Sequence, residues 1–103
     1  MIKVSVFYPN RAGSKFDMDY YLSKHIPMIK QKLGSALKGV SVEQGLAGGQ
    51  PGTAATYSII AHLAFDSVDS FLAAFGPVAA QVQGDVRNYT DLEPVIQVSE
   101  VKM

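Results

Sequence analysis

Apolar and polar residues alternate from Ile2 to Tyr8, with Ile2, Val4, Val6 and Tyr8 on one side and Lys3, Ser5 and Phe7 on the other. A period of two predicts a strand with one strongly apolar face. Turn residues fill Pro9 to Ser14, and beyond them the period becomes helical. Asp17 is placed to cap a helix on which Met18, Leu22, Ile26, Ile29 and Leu33 share one face, opposite Lys24, Lys30 and Gln31. Pro27 breaks into that pattern. It lacks a backbone N–H and crowds the preceding turn, so a kink or break is expected near His25, with Gly34 as the stop. A second strand is expected at about Gly39 to Leu46, followed by a glycine-rich hairpin loop from Ala47 to Thr53. That loop has no Gly-Lys-Ser/Thr ending and leads into a strand, which excludes a phosphate-binding loop. Tyr57 to Phe65 alternates cleanly as a third strand. Asp66 or Ser67 caps a second helix with the stripe Val68, Phe71, Leu72 and Phe75. Gly76-Pro77 breaks it, and a further helical turn is expected through Val82. Gly84 to Glu93 reads as a loop, and Pro94 to Val101 as the last strand.

The order β-α-β-β-α-β is the α+β, ferredoxin-like arrangement, with one domain over residues 1–103. Right-handed crossovers put both helices on one side of a four-stranded antiparallel sheet. The apolar strand sides turn toward the helices. The other side then displays Ser5, Phe7, Ser41, Glu43, Ser58, Ile60, His62, Gln97 and Ser99. Apolar walls with a few placed polar groups are the mixture found in ligand pockets. A sheet face that simply meets water would also accept it. RNA stacking on this face would need basic residues and paired aromatics on the central strands, which offer Phe7 but no Arg, with Lys3 the only Lys nearby.

Composition narrows the function classes. The chain has 103 residues, 48% hydrophobic and 17% charged, enough for one modest core. Nine Lys plus Arg balance nine Asp plus Glu, so no basic footprint for nucleic acid or anionic lipid exists. A neutral chain with mean hydropathy of +0.11 is expected to cover apolar surface with something, such as a second subunit. The absence of cysteine excludes disulfides, thiolate metal sites and a Cys nucleophile. No apolar run approaches the ~18 residues of a membrane span. The first residues run directly into a strand rather than a signal peptide, so the expected location is cytoplasmic.

Two histidines carry the candidate chemistry. His25 follows Tyr21 at i,i+4, so the two side chains can meet if the helix persists. Near a Pro27 kink it is a candidate general acid or base, or a structural histidine bonding a freed carbonyl. His62 sits on the mixed face with Glu43, where the two can form an acid–base pair or simply face water or a dimer partner. Tyr89, in a loop with Asp85, Asn88 and Asp91, can close over a pocket mouth; for the Asp and Asn residues, turn and capping roles also account for their types. The spacing supports no metal set and no nucleophile elbow, and no cofactor is implied.

The run Phe16-Asp17-Met18-Asp19-Tyr20-Tyr21-Leu22-Ser23-Lys24-His25-Ile26-Pro27-Met28 resembles the F-x-x-x-Y-Y/W-x-x-x-H-x-P signature of the EthD family, named for ethyl tert-butyl ether degradation. The strand ending in Tyr8-Pro9 and the segment Asp85-Val86-Arg87-Asn88-Tyr89-Thr90-Asp91 extend the resemblance over nearly the whole chain. It implies a homodimeric α/β barrel, in which two ferredoxin-like subunits join their open sheet faces and each keeps a cleft between sheet and helices. The wider superfamily holds cofactor-independent oxygenases, polyketide cyclases, muconolactone isomerases and some haem enzymes. The motif carries over Tyr20, Tyr21, His25 and Pro27. The expectation is a small apolar organic compound bound in a cleft lined by Phe7, His25, Ile60 and His62, with Tyr20 and Tyr89 also binding it. His25 would move a proton, with Tyr21 or His62 orienting, as an isomerase, cyclase or monooxygenase of catabolism or secondary metabolism. Two alternatives stand beside it: a non-catalytic accessory protein of an oxygenase degradation system, and a haem-binding relative.

Overall fold

The computed structural model describes all 103 residues. Strands β1 (Ile2–Pro9), β2 (Gly39–Gln44), β3 (Tyr57–Phe65) and β4 (Val95–Glu100) form one antiparallel sheet in the order β2-β3-β1-β4. β1 and β3 are central, and Ser5 pairs across with His62 on one side and Gln97 on the other. The fold is the ferredoxin-like α+β arrangement of the sequence pattern. A Cβ on Gly45 would collide with the Tyr57 carbonyl, which makes glycine obligatory where the β2–β3 connection begins.

The first helical stretch has three parts: α1 (Met18–Tyr20), a π-helical turn (Tyr21–His25) and α2 (Ile26–Leu33). Asp17 caps it by accepting the Tyr20 N–H at 3.0 Å, and Gly34 ends it with φ of 58°. The expected kink at Pro27 takes the form of the π turn, in which the Ile26 N–H reaches back to the Tyr21 carbonyl. A π turn absorbs one extra residue, a rotation of about 100° for everything before it. The face of the helix therefore changes. Leu22, expected in the core, is 50% exposed, and Tyr21 and His25 are buried in its place.

The second helical stretch is α3 (Val68–Phe75), a 3₁₀ turn (Gly76–Val78), α4 (Ala79–Asp85) and a 3₁₀ turn (Val86–Asn88). Ser67 caps α3 by accepting the Ser70 N–H. Gly84 does not open a loop, as the sequence pattern suggested. No proline interrupts the chain there, and helical structure continues to Asn88, placing Asp85 in a helical last turn. The core joins β1 and β3 to α2, with Phe65 fully buried. Edge strand β4 is thinly covered: its helix-side Ile96 and Val98 are exposed. No helix is long and apolar enough to cross a membrane.

Candidate functional site

A chain of polar side chains runs behind the helix side of the sheet. The π turn aims His25 inward, flat against Tyr21, with ring centroids 5.4 Å apart and 17° between the planes. The imidazole Nδ1 lies 2.8 Å from Asp85 Oδ2, and Nε2 lies 3.3 Å from the Tyr89 hydroxyl. The Tyr89 and Tyr8 hydroxyls are 2.7 Å apart. Asp85 is itself held from outside, accepting from the Tyr20 hydroxyl at 2.7 Å and from the Asn88 amide at 2.9 Å.

Local structure fixes each member. Tyr8 is on the apolar side of β1. Asp85, Asn88 and Tyr89 follow at helical spacing from the end of α4, so Asn88 returns to Asp85 one turn back. Tyr89 is pinned through its backbone: its carbonyl accepts the Asp17 N–H at 2.7 Å, and Phe16 bridges to Thr90. The Thr90 hydroxyl donates to the Lys15 carbonyl, and Asp91 accepts the Lys15 N–H. One short segment thus anchors the residues that lead into the first helix and presents the tyrosine.

Electrostatics give the chain a direction. Burial pushes the His25 imidazole below its ordinary pKa, with Asp85 opposing the shift, so the ring is neutral at pH 7. For Asp85, burial alone would raise the pKa. The bonds from Tyr20, Asn88 and His25 outweigh it and hold the carboxyl below the usual carboxylate range. A carboxylate accepts only, so His25 Nδ1 carries the proton and donates to Asp85. Nε2 is then an acceptor, Tyr89 donates to it, and Tyr8 donates to Tyr89. Burial raises the phenols of Tyr8, Tyr21 and Tyr89 far above their usual value, so all three stay neutral.

The chain opens onto a cavity of about 100 Å³ between sheet and helices. Tyr8, Tyr21, His25 and Tyr89 line it together with Phe71, Phe75, Val82 and Ile96. No Lys, Arg, Asp or Glu contributes to its wall. Nowhere do three His, Asp or Glu side chains gather as metal ligands. Both nitrogens of His25 are engaged within the chain, so an iron or other metal there would have to displace Tyr89.

The sequence-expected residues divide between two places. His25, Tyr21 and Tyr89 meet at the cavity. Tyr20 does not reach it and stands behind, on Asp85. Phe7, Ile60 and His62 lie on the opposite face of the sheet, so the single cleft expected to join them to His25 is divided by the sheet itself. There the Ser5 hydroxyl is 2.8 Å from His62 Nδ1, and His62 Nε2 is 3.5 Å from Glu43 Oε1. Phe7 packs on Tyr57 at 4.9 Å on that side. Sequence reasoning passed over two members of the buried chain, Tyr8 and Asp85. The signal for Asp85 was its spacing to Asn88 and Tyr89, three and four residues on, which is helical rather than loop-like.

Comparisons with known proteins bear on the family and the fold. The family model described as EthD domain matches residues 13–93, which contain every member of the polar chain except Tyr8. An EthD-like protein from Ralstonia eutropha JMP134 is 43% identical, with 99% of this chain and 92% of that one covered and a TM-score of 0.93. An ethyl tert-butyl ether (EthD) family protein from Bacillus halodurans C-125 is 14% identical, with 98% of each chain covered and a TM-score of 0.67. A dimeric protein of unknown function and ferredoxin-like fold from Bacteroides fragilis NCTC 9343 is 15% identical over 97% of this chain and 95% of that one, with a TM-score of 0.60. The last two show the fold alone. No curated protein matches the chain significantly. By the family model and by its near relative, the chain belongs to the EthD family.

Proposed function

We propose that this EthD-family protein binds a small, largely apolar organic compound in the cavity between sheet and helices and moves a proton on it with His25. The reaction class is isomerisation or cyclisation without a cofactor, in catabolism or secondary metabolism. One observation carries the reading: a neutral, buried imidazole at the wall of an apolar cavity, with Asp85 at 2.8 Å on Nδ1 and only a hydroxyl on Nε2. Asp85 stabilises the imidazolium that forms when Nε2 takes a proton, and the largely apolar wall strengthens that interaction. Tyr21 holds the ring plane by stacking. Tyr89 binds beside Nε2, and Tyr20 acts through Asp85.

The protein acts as a homodimer in this reading, with the faces bearing Phe7, Ile60 and His62 against each other. A neutral chain, the apolar residues on that face and the dimeric ferredoxin-like protein of Bacteroides fragilis support it. His62 then belongs to the interface, with Ser5 and Glu43.

Deuterium uptake from D2O into a panel of cyclic ketones and lactones, followed by NMR, tests proton transfer across many ring types at once. The wild type is expected to accelerate uptake for some panel members, and His25→Ala to abolish it with the thermal transition retained. Uptake equal in the two proteins would overturn the catalytic role. A second reading, a non-catalytic binding protein, has its own support: no buried side-chain polar atom lacks a partner, so the network is complete without a ligand. It predicts binding without uptake and tolerance of His25→Gln.

A further inference from the structure

The cavity wall also bears on which compounds fit, an inference that rests on the binding reading above. Three features converge. The wall holds no charged side chain, so a carboxylate or ammonium ligand would be buried without a counter-ion, a heavy cost. A volume of about 100 Å³ leaves room for no more than one ring, since a dry cavity of about 150 Å³ takes benzene. The third feature is the spacing of the polar chain. Its links are 2.7 Å from Tyr20 to Asp85, 2.8 Å from His25 to Asp85 and 2.7 Å between Tyr8 and Tyr89. Only the link between Tyr89 and His25 Nε2 is long, at 3.3 Å. Both partners of that link line the cavity, whereas Asp85 and Tyr20 do not.

We infer that the ligand is a neutral, single-ring compound bearing one weakly acidic hydroxyl, a phenol or cyclic enol, and that this hydroxyl enters the link between Tyr89 and His25. The ligand O–H donates to Nε2, and its oxygen accepts from the Tyr89 hydroxyl. Two short bonds replace one long one, and every polar atom stays satisfied. The ring meets Phe71, Phe75, Val82 and Ile96. A hydroxyl so placed directs its proton at the atom that acts as base in the reading above.

Calorimetric or NMR titration with four single-ring probes (phenol, toluene, benzoate and benzylamine), and with 1-naphthol, tests this. Phenol is expected to bind about tenfold more tightly than toluene, the worth of one net hydrogen bond. Benzoate, benzylammonium and 1-naphthol are expected not to saturate where phenol does. His25→Gln and Tyr89→Phe should each lower phenol affinity toward that of toluene and leave toluene unchanged, a result that a general loss of structure would not give. Toluene and phenol binding equally to the wild type, or benzoate binding best, would overturn the hydroxyl class and leave the cavity itself intact. Failure of every probe, toluene included, would overturn both the class and the binding site.

Discussion

The two faces of the sheet carry the same three groups and differ in what surrounds them. On the helix side, His25 meets Asp85 at 2.8 Å and a tyrosine hydroxyl at 3.3 Å, and its side chain is 3% exposed. On the open side, His62 meets Glu43 at 3.5 Å and the Ser5 hydroxyl at 2.8 Å, with side-chain exposures of 27% for His62 and 60% for Glu43. Residue types alone rank the sites as equals. Burial separates them. Around His25 the bonds act in a medium where an unmade one is costly, and the imidazole is held in one tautomer and one plane. Around His62, in a single copy of the chain, water can replace either partner. A histidine beside a carboxylate becomes a candidate base through its surroundings, and the open face would gain comparable surroundings only from a second subunit.

The sharpest way to break this comparison is to remove the carboxylate on each side. Asp85→Ala strands the His25 Nδ1–H in the interior and takes the acceptor from Tyr20 and Asn88. A loss of about 2 kcal/mol in unfolding free energy is expected. Glu43→Ala should cost less than about 0.5 kcal/mol. Urea midpoints for the two variants, with the slope checked for constancy, give the answer. Equal losses would mean that the faces do not differ as described.

Acid titration sharpens the same contrast. The folded-state pKa of His25 is below the ordinary 6.5, so the unfolded chain binds that proton more readily. Stability contributed by the neutral ring is therefore fully present above about 6.5 and declines as pH falls below it. The decline stops once the folded protein also takes up the proton. Asp85, depressed below its ordinary 3.8, adds a second loss only as pH falls below that value. His25→Gln should remove the first decline. Thermal midpoints across this range decide it; a decline that survives His25→Gln places its origin elsewhere.

Much of this was legible in the chain. The alternation in Tyr57–Phe65 gave β3 to the residue, and Asp17, Ser67 and Gly34 marked helix ends through their own chemistry. Strand parity also put Phe7, Ile60 and His62 on the face away from the helices. Joining them to His25 in one cleft ignored the sheet that stands between. The helix wheel failed at Leu22 because it assumes one period throughout. The π turn before Pro27 inserts a residue, and hydrophobicity does not encode that event. Asp85 was hidden for a related reason: Gly84 signals a loop, yet helical structure carries on past it. Tyr8 could be assigned to the core from its parity, but its hydroxyl contact spans 81 residues and depends on where the Tyr89 segment docks.

A smaller effect separates the faces by a single hydroxyl. Tyr89→Phe leaves the ring packed against His25 and Tyr21 but deletes the bonds to Tyr8 and to Nε2. The expected cost is about 1 kcal/mol, with a change in the His25 Nε2 nitrogen shift as its donor disappears. Tyr57→Phe, on the open face against Phe7, should fall within about 0.5 kcal/mol. If the two substitutions cost the same, the Tyr89 hydroxyl contributes nothing beyond its ring.

The smallest expected change is in a dilute single copy carrying His62→Ala. Ser5, 6% exposed, then loses the partner of its hydroxyl, and water on the open face can take the place of His62. If two copies bury that face, water is excluded and the Ser5 hydroxyl is stranded, so the cost falls on association. Thermal midpoints of wild type and His62→Ala should therefore coincide at low protein concentration and diverge as concentration rises, with light scattering showing a weaker dimer for the variant. Coincidence at every concentration, with unchanged dimer mass, would place any dimer contact elsewhere on the molecule. His62 would then be a solvated histidine on an open sheet, and the contrast with His25 would hold in the assembled protein as well as in one chain.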